Sequence, residues 1–488
     1  MKGLLVSVIL IFSLSVFSQV AEIQDNGFLK DLQIYREIVE QSHTGMYLYT
    51  AKTTFDSLFD AASEEILNNN IATQREFFLL LARIHTKINC GHSSFHPGGE
   101  IYSKVDSTQK AFFPMHVKFI KDTLIVAEDF QEIKKGSQIL SINGKSIEEI
   151  RNDAFQIISS DGYNTTFKHR LLEEEFADKY YLFYGAANKF ELEIIPYLSD
   201  ETQQLSITAF ATTDYGDHPG REQEATDFEF LDDETALLTV NTFSTETSRN
   251  QKKFFKFLKK SFKEIKKKNT KNLIIDIREN TGGDDGNDME LASYLINKPF
   301  KENKFRKLHS TDLPLYPEYL HPMWKEMFGI SSKKTDEQIK KKIKSTLNDE
   351  FSIGEDGAYY LKDENVIRRD PAKYLFDGNT YILISGKVFS GGSLFSALVR
   401  DKSDAVFVGE ETGGGYYRHT GSIPLFYTLP NSGMMFSLFI VINEQDVDQQ
   451  LFPEGSGIKP HFEVYPSIKD FVEDRDAVME YVKGKIKK

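Results

Sequence analysis

The sequence is short of cysteine, of positive net charge and of metal-binding motifs. Its 488 residues include a single cysteine, Cys90, so no internal disulfide can form and stability must come from packing. The net charge of −14 argues against nucleic acid or an anionic membrane surface as the main partner. No HExxH or CxxC pattern is present, which disfavours zinc even though His92 and His96 lie four residues apart.

Apolar runs long enough to cross a membrane are also missing. The longest, over residues 4–17, is shorter than the roughly 20 residues that a bilayer requires. It follows the basic residue Lys2, and small or β-branched residues close it, which is typical of a secretory signal peptide over residues 1–18, cut after Ser18. No cysteine near that point could carry a lipid. We therefore predict an exported protein, periplasmic or secreted, with no stable membrane span after cleavage.

Aromatic residues, by contrast, are abundant, with 39 phenylalanines and 22 tyrosines. Apolar residues make up 40% of the chain and charged residues 27%, which is typical of a globular protein with large cores. A chain of 488 residues is too long for one ordinary core, so two to four domains are expected.

The region before residue 200 divides into two predicted domains. Apolar residues recur at helical spacing from Leu29 to Ile88, which predicts an N-terminal helical domain over 19–105. Short strands then precede the segment IKKGSQILSINGKSIEEI at 133–150, with a tight Asn-Gly turn and a helix that begins at Ser146. This segment resembles a PDZ-like module, placed at 106–200, which binds chain ends by adding a strand to a sheet edge. A plain hairpin followed by a helix is the alternative.

The C-terminal half alternates strands with helices. Its predicted strands lie at 236–240, 273–277, 381–384 and 405–408, and an amphipathic helix covers 252–268. This order predicts an α/β core over 230–488, built on a mostly parallel sheet covered by helices. The polar stretch 212–227 is interpreted as a linker, and the charged insertion 298–377 as a candidate lid over a site.

Two turns in this core carry residues suited to catalysis. Ser390 follows a buried strand and precedes Gly391 and a helix, so its hydroxyl is exposed where free backbone N–H groups can hold an oxyanion. Ser-Gly-Gly is also an ordinary helix cap. The segment NLIIDIRENTGGDDG at 272–286 ends another strand with Gly282 and Gly283, at the sheet end where α/β proteins bind ligands. A plain strand-to-helix turn is the alternative there.

Taken in order, these segments resemble the core of the tail-specific (carboxyl-terminal processing) and tricorn serine proteases. The ordered set is Asp-x-Arg-x-Asn-x-Gly-Gly, a serine in a turn of small residues, and Val-Gly-Glu-x-Thr-x-Gly. The resemblance covers most of 230–465 and implies that Ser390 is the nucleophile. It also implies that the N–H of Gly391, with one from Gly282 or Gly283, forms the oxyanion hole.

The sequence departs from the tail-specific branch at the base. That branch uses a lysine where this chain has Gly415, and no lysine lies nearby. The tricorn-like branch instead uses a histidine from the N-terminal region and a glutamate beyond the serine. The segment INCGHSS at 88–94 resembles the histidine segment and implies His92 as base, while EGSGIKP at 454–460 implies Glu454 as the group that orients it. His419 is the alternative base.

We therefore predict a serine peptidase that cleaves peptide or protein substrates through an acyl-enzyme on Ser390, with no cofactor and no metal. The base should titrate in the usual imidazole range, about pH 6–7. A catalytically inactive peptide-binding protein with the same fold is the alternative, because the usual lysine is missing. A lipid- or polyketide-hydrolysing enzyme is disfavoured, since no Gly-x-Ser-x-Gly elbow is present. The peptides cut, endo- or exo-cleavage and the oligomeric state stay open.

Overall fold

The computed structural model describes residues 26–98, 101–102, 110–211, 224–322, 334–448 and 450–487. The predicted signal peptide and most of the predicted linker lie outside these residues. Within the described ranges, no helix combines the length and the apolar character needed to cross a bilayer.

The described elements begin with three helices, and strands and helices follow in the rest of the described chain. The α-helices are α1 Gly27–Ser42, α2 Lys52–Leu67, α3 Gln74–Thr86, α4 Ile147–Phe155, α5 Thr166–Glu174, α6 Phe176–Tyr184, α7 Ser248–Lys268, α8 Asn287–Ala292, α9 Asp336–Glu350, α10 Gly391–Lys402, α11 Ile468–Val472 and α12 Ala477–Ile486. The strands are β1 Ser94–His96, β2 Lys110–Phe112, β3 Val117–Ile120, β4 Thr123–Val126, β5 Gln138–Ile142, β6 Lys145–Ser146, β7 Lys189–Ile195, β8 Gln203–Thr208, β9 Phe210–Ala211, β10 Thr226–Phe230, β11 Thr235–Val240, β12 Asn272–Asp276, β13 Phe300–Lys301, β14 Asn303–Leu308, β15 Phe351–Ile353, β16 Tyr359–Leu361, β17 Arg368–Arg369, β18 Asn379–Ile384, β19 Val406–Gly409, β20 Arg418–Thr428, β21 Met435–Gln445 and β22 Phe462–Glu463.

The N-terminal helices share their core with strands from the far end of the chain. Buried residues of α1, α2 and α3 belong to one hydrophobic cluster with residues of β20 and β21. Tyr35 of α1, for example, packs edge-on against Phe436 of β21, with ring centroids 5.1 Å apart. The helical spacing predicted these helices correctly. The hydrophobic cluster that contains them, however, extends past residue 105 to β20 and β21. A separate helical domain with that boundary stays a prediction.

Residues 117–208 form an antiparallel sheet in the order β3-β4-β5-β7-β8, accompanied by α4, α5 and α6. Ser146 caps α4 in a capping box with Glu149, as the sequence predicted. At the edge strand β3, the backbone N–H of Phe119 donates to Glu173 (2.6 Å), and its carbonyl accepts from Arg170 (3.1 Å). Side chains of α5 thus occupy this edge. The PDZ-like identity stays a prediction.

The sheet that carries the predicted catalytic turns has the order β10-β11-β12-β18-β19-β22. The pair β10–β11 is antiparallel and the other four pairs are parallel. Since side chains alternate across a strand, Ile275 of β12 packs in the core with α7 and α10, while Ile274 packs with α12 on the opposite face. The four predicted strands are present within one or two residues of their expected bounds. The prediction of a mostly parallel fold is only partly right, because the described sheets are mixed or antiparallel across the chain.

The described part of insertion 298–377 contributes five short strands to the sheets. The strand β14 pairs with β21, β16 joins β14 to β15, and β13 pairs with β17. The resulting sheet has the order β1-β21-β14-β16-β15, with β20 also paired to β21. A role for the insertion as a lid stays a prediction.

One buried carboxylate ties α1 to the turn between β20 and β21. Asp31, with no exposed surface, accepts from the backbone N–H groups of Asn431 (3.1 Å) and Ser432 (2.7 Å) and from the Asn431 amide (2.8 Å). We predict that Asp31→Ala lowers the free energy of unfolding by roughly 3 kcal/mol, because buried donors lose a charged acceptor. Denaturant unfolding followed by circular dichroism measures this change.

The matched variants are Asp31→Asn, which keeps one acceptor oxygen and should lose less, and Asp60→Ala. The Asp60 side chain is 76% exposed and lies 3.8 Å from Arg36, so its removal should change stability little. Equal effects of Asp31→Ala and Asp60→Ala would contradict this role for Asp31.

Candidate active site

Ser390 lies where β18 leads into α10, in a backbone conformation that non-glycine residues rarely adopt. Its φ is +49° and its ψ is −123°, and its side chain makes no hydrogen bond to cap the helix. Such a conformation costs of order 1–3 kcal/mol and persists only where surrounding structure enforces it. The hydroxyl is therefore held away from the ordinary role of helix cap, which was the alternative interpretation of this turn.

The turn that follows the neighbouring strand β12 touches Ser390 directly. Gly282 and Gly283 have φ of +109° and +150°. A Cβ added to Gly282 would lie 2.7 Å from the Ser390 Cβ and 2.8 Å from the Gly391 nitrogen, and one on Gly283 would lie 2.0 Å from the Ser244 nitrogen. Only glycine fits at these two positions, because the backbones themselves are in contact.

The backbone N–H of Gly282 is already hydrogen-bonded within this turn. The N–H of Gly282 donates to Asn280 Oδ1 (2.9 Å), and buried Asn280 is itself fixed through its amide to the Val240 carbonyl (3.0 Å). A Cβ added to Gly391 would lie 3.6 Å from the Gly283 nitrogen, so the amides of Gly391 and Gly283 are neighbours. The N–H of Gly282 is thus engaged within its own turn, and the N–H of Gly283 lies near that of Gly391.

A cavity of about 200 Å³ opens beside Ser390 and brings most of the predicted residues together. Its lining includes Ser390, Gly391, Gly283, His92 and His419. Residues from the N-terminal region, from both catalytic turns and from β20 therefore share one space.

His92 is held among other rings. It lies on Phe389, the residue before Ser390, with centroids 4.5 Å apart, and stacks with His419 at 5.2 Å. Neither His92 ring nitrogen has a hydrogen-bond partner among the described residues, and both are shielded from solvent. Burial, and then the neighbouring His419, holds the His92 pKa well below its usual range. The imidazole is thus neutral and able to accept a proton, and its titration lies below the range that the sequence led us to expect.

His419 is also neutral near physiological pH, since burial lowers its pKa to about 4. Its Nδ1 faces Nε2 of Gln445 at 3.5 Å, and that amide nitrogen also donates to the Gly415 carbonyl (3.1 Å). With Gln445 as donor, His419 Nδ1 is an acceptor and its proton sits on Nε2.

Glu454 is not brought to the histidine that it was predicted to orient. Its carboxylate pairs with Arg418 at 2.5 Å, its side chain is 49% exposed, and it is not among the residues that line the cavity. Arg418 attracts it electrostatically and also pairs with the buried Glu444 at 2.5 Å. In this conformation Glu454 therefore makes no hydrogen bond to His92.

A carboxylate that the sequence did not reveal supports the His92 segment instead. Asp161, only 3% exposed, accepts from the N–H groups of Gly91 (2.8 Å) and Gly415 (3.3 Å). Burial raises the pKa of Asp161 to about 7. It lies in a polar turn between α4 and α5, and the local sequence there has the pattern of an ordinary loop. Its link to Gly91 appears only when the chain is folded.

The position that carries lysine in the tail-specific branch is thus a glycine whose N–H binds Asp161. Among the described residues that line the cavity, none is a lysine. That lining includes two histidines, His92 and His419.

Solved structures with a similar fold cover nearly the whole chain. Mature CPAF in complex with lactacystin matches with a TM-score of 0.62 at 15% identity, over 94% of this chain and 97% of that chain. Mature CPAF alone gives 0.59 at 15% identity, over 94% and 95%. A putative peptidase from Parabacteroides merdae gives 0.46 at 12% identity, over 94% and 96%. At these identities the likeness to CPAF shows a shared fold.

No curated protein sequence gave a match to this chain. The model of peptidase family S41 matches residues 234–464, which hold both glycine-bearing turns and Ser390. This match, over slightly less than half of the chain, confirms the resemblance of the sequence to the tail-specific and tricorn serine peptidases.

Proposed function

We propose that the protein is an active serine peptidase that hydrolyses peptide bonds through an acyl-enzyme on Ser390. The observation that carries this proposal is the cavity in which Ser390, His92 and the backbone of Gly391 and Gly283 meet. The match of residues 234–464 to the S41 family model supports a serine-dependent hydrolase. The strained conformation of Ser390 supports a functional role for this particular serine.

In the proposed reaction, Ser390 Oγ attacks the substrate carbonyl carbon while His92 takes the hydroxyl proton. The N–H groups of Gly391 and Gly283 donate to the oxygen that becomes negative. The C–N bond then breaks as His92 returns the proton to the leaving amine. Water hydrolyses the resulting ester in the same way, with His92 taking a proton from water and returning it to Ser390.

His92 is a better base in this proposal than His419. Its ring lies on the residue that precedes Ser390, and neither of its nitrogens is engaged by another described group. The proton placed on Nε2 of His419 by Gln445 makes that nitrogen a donor. Because Glu454 is bound by Arg418, we assign the positioning of His92 to Asp161, acting through Gly91, and give Glu454 no step.

The inactive peptide-binding alternative rested on the missing lysine. A neutral histidine that lines the same cavity as the serine can act as the missing base, and this supports the enzyme over the binding protein. We further propose export, on the basis of residues 1–18 alone, and capture of substrate termini by the PDZ-like module.

The first test is Ser390→Ala, which should abolish peptide hydrolysis and labelling by a fluorophosphonate, because the attacking oxygen is removed. Site mapping of the wild-type label by mass spectrometry should give Ser390. Ser403→Ala is the matched control, since Ser403 lies at the opposite end of α10 and its hydroxyl bonds locally, to Val399 and Ala405. Labelling at Ser393 or Ser396 instead would overturn the assignment.

The second test concerns the base. His92→Ala should lower kcat/KM by about 10²–10⁴-fold, the usual contribution of a positioned base. His419→Gln should have a much smaller effect, because that ring does not transfer the proton. The two variants are compared on one fluorogenic peptide. A larger loss in His419→Gln than in His92→Ala would transfer the role of base to His419.

The third test is the pH dependence of kcat/KM. The ionised Asp161 carboxylate accepts one N–H group on each oxygen, and protonation weakens this pair of hydrogen bonds. Activity should therefore fall as pH drops through about 7, the raised pKa of this group. His92 stays neutral in this window, because its pKa is well below its usual range, and adds a second fall only at lower pH.

Asp161→Asn should lower the plateau and remove the fall near pH 7, while the fall at lower pH remains. Asp153→Asn, in α4 of the same module, is the matched control and should keep the wild-type profile. A fall near pH 7 that persists in Asp161→Asn would assign that ionisation to another group.

A further inference from the structure

One wall of the cavity beside Ser390 is acidic. It is formed by Asp285 and Asp288, which follow the Gly282–Gly283 turn, and by Glu302, Asn303 and Arg306 from the insertion. The mechanism uses none of these side chains. They line the same cavity as Ser390 and the two backbone amides proposed for the oxyanion.

Two of these side chains are buried with polar atoms left unpaired. Asp288 is 2% exposed and Asn303 is 5% exposed. Oδ2 of Asp288 and Oδ1 of Asn303 have no hydrogen-bond partner among the described residues. A buried acceptor without a donor costs roughly 1–3 kcal/mol of stability. These two acceptor atoms therefore suit a hydrogen-bond donor that the chain itself does not supply.

Neither of the two nearby arginines forms an ion pair with Asp288 or Glu302 among the described residues. Arg306 pairs with Asp285 (3.1 Å) and donates to Ser422. Arg369 lies against Glu290 (3.5 Å) and the Gly286 carbonyl (3.3 Å). The carboxyl groups of Asp288 and Glu302 therefore face the cavity with no closely paired cation among the described residues.

The pKa shifts of Asp288 and Glu302 agree with the lack of a closely paired cation. Burial raises the pKa of both Asp288 and Glu302, and the charge of Asp285 adds to the rise for each. A bound cation would relieve that repulsion and favour the ionised forms.

We propose that this acidic wall binds the side chain of a lysine or arginine that flanks the scissile bond, and so selects basic cleavage sites. The inference rests on the proposed peptidase function and names its substrate class. Asp288 Oδ2, Glu302 and Asn303 Oδ1 act as acceptors for the ammonium or guanidinium group. Leu394 and Phe439, which also line the cavity, can pack against the apolar stem of such a side chain.

A side chain fits this site better than a metal ion does. Within the described residues, no group of three or more histidine, cysteine or carboxylate side chains is arranged to hold a metal. The cavity volume of about 200 Å³ suits one long side chain. An amide oxygen beside two carboxyl groups also matches the several N–H donors of lysine or arginine.

The test begins with a peptide library digested by the full-length protein, with cleaved bonds mapped by mass spectrometry. Lysine or arginine should be enriched on one side of the bond. A matched pair of peptides is then made with lysine or norleucine at that position, which differ in charge at nearly equal length. The kcat/KM ratio of lysine over norleucine should be at least about tenfold, the discrimination expected from one charged hydrogen bond.

Glu302→Gln and, separately, Asp288→Asn should each reduce that ratio by about tenfold. Glu290→Gln is the matched control, because Glu290 pairs with Arg369 and does not line the cavity, and it should keep the wild-type ratio. Fluorophosphonate labelling of Ser390 confirms that each variant is folded and reactive.

The outcomes separate this inference from the proposed function. Cleavage and labelling without preference for basic residues, or a preference that survives in both variants, would overturn the acidic subsite while leaving the peptidase intact. Absence of both cleavage and Ser390 labelling in the wild type would overturn the peptidase and the subsite together. Preference lost in Glu302→Gln but retained in Glu290→Gln supports the subsite.

Discussion

The active site depends on one close contact between two backbones. Strands β12 and β18 are parallel neighbours, so the turns at their carboxyl ends emerge side by side. The Gly282–Gly283 turn and the Ser390–Gly391 turn then approach so closely that a single added carbon would lie within 2.8 Å of the other chain segment. This contact holds Ser390 in its strained conformation. It also places the backbone N–H groups of Gly391 and Gly283 next to each other in the lining of the cavity. Everything else at the site is arranged around it.

Much of this centre was predictable because it is encoded locally. Buried strands of the core are continuous apolar runs, and the glycine pair and the serine each come directly after such a run. Parallel strands bring their carboxyl ends to one edge, so two distant turns could be expected to meet. The N-terminal helices could be predicted from the spacing of apolar residues, and the capping box at Ser146 from the residue types at the start of the helix.

The remainder of the site depends on contacts that no local pattern contains. Asp161 is an unremarkable loop carboxylate in the sequence, and its two N–H partners come from segments 70 and 254 residues away. Glu454 matched a motif, yet the choice of its partner was decided by Arg418, which the motif does not include. The low pKa of His92 follows from burial among Phe389 and His419, a property of the packed molecule. The acidic wall likewise joins a turn after β12 to an insertion that looked like a lid.

The edge of strand β3 has a consequence for how chain ends could be recognised. Its outward backbone groups at Phe119 are already bonded to Glu173 and Arg170, which pair with each other at 2.9 Å while nearly buried. Addition of a strand here would be an exchange, in which an incoming chain replaces Glu173 as the partner of Arg170. A terminal carboxylate has the same charge and the same planar pair of oxygens as the glutamate that it would displace. Any strand added at this edge therefore requires that Glu173 and Arg170 first release the backbone of Phe119.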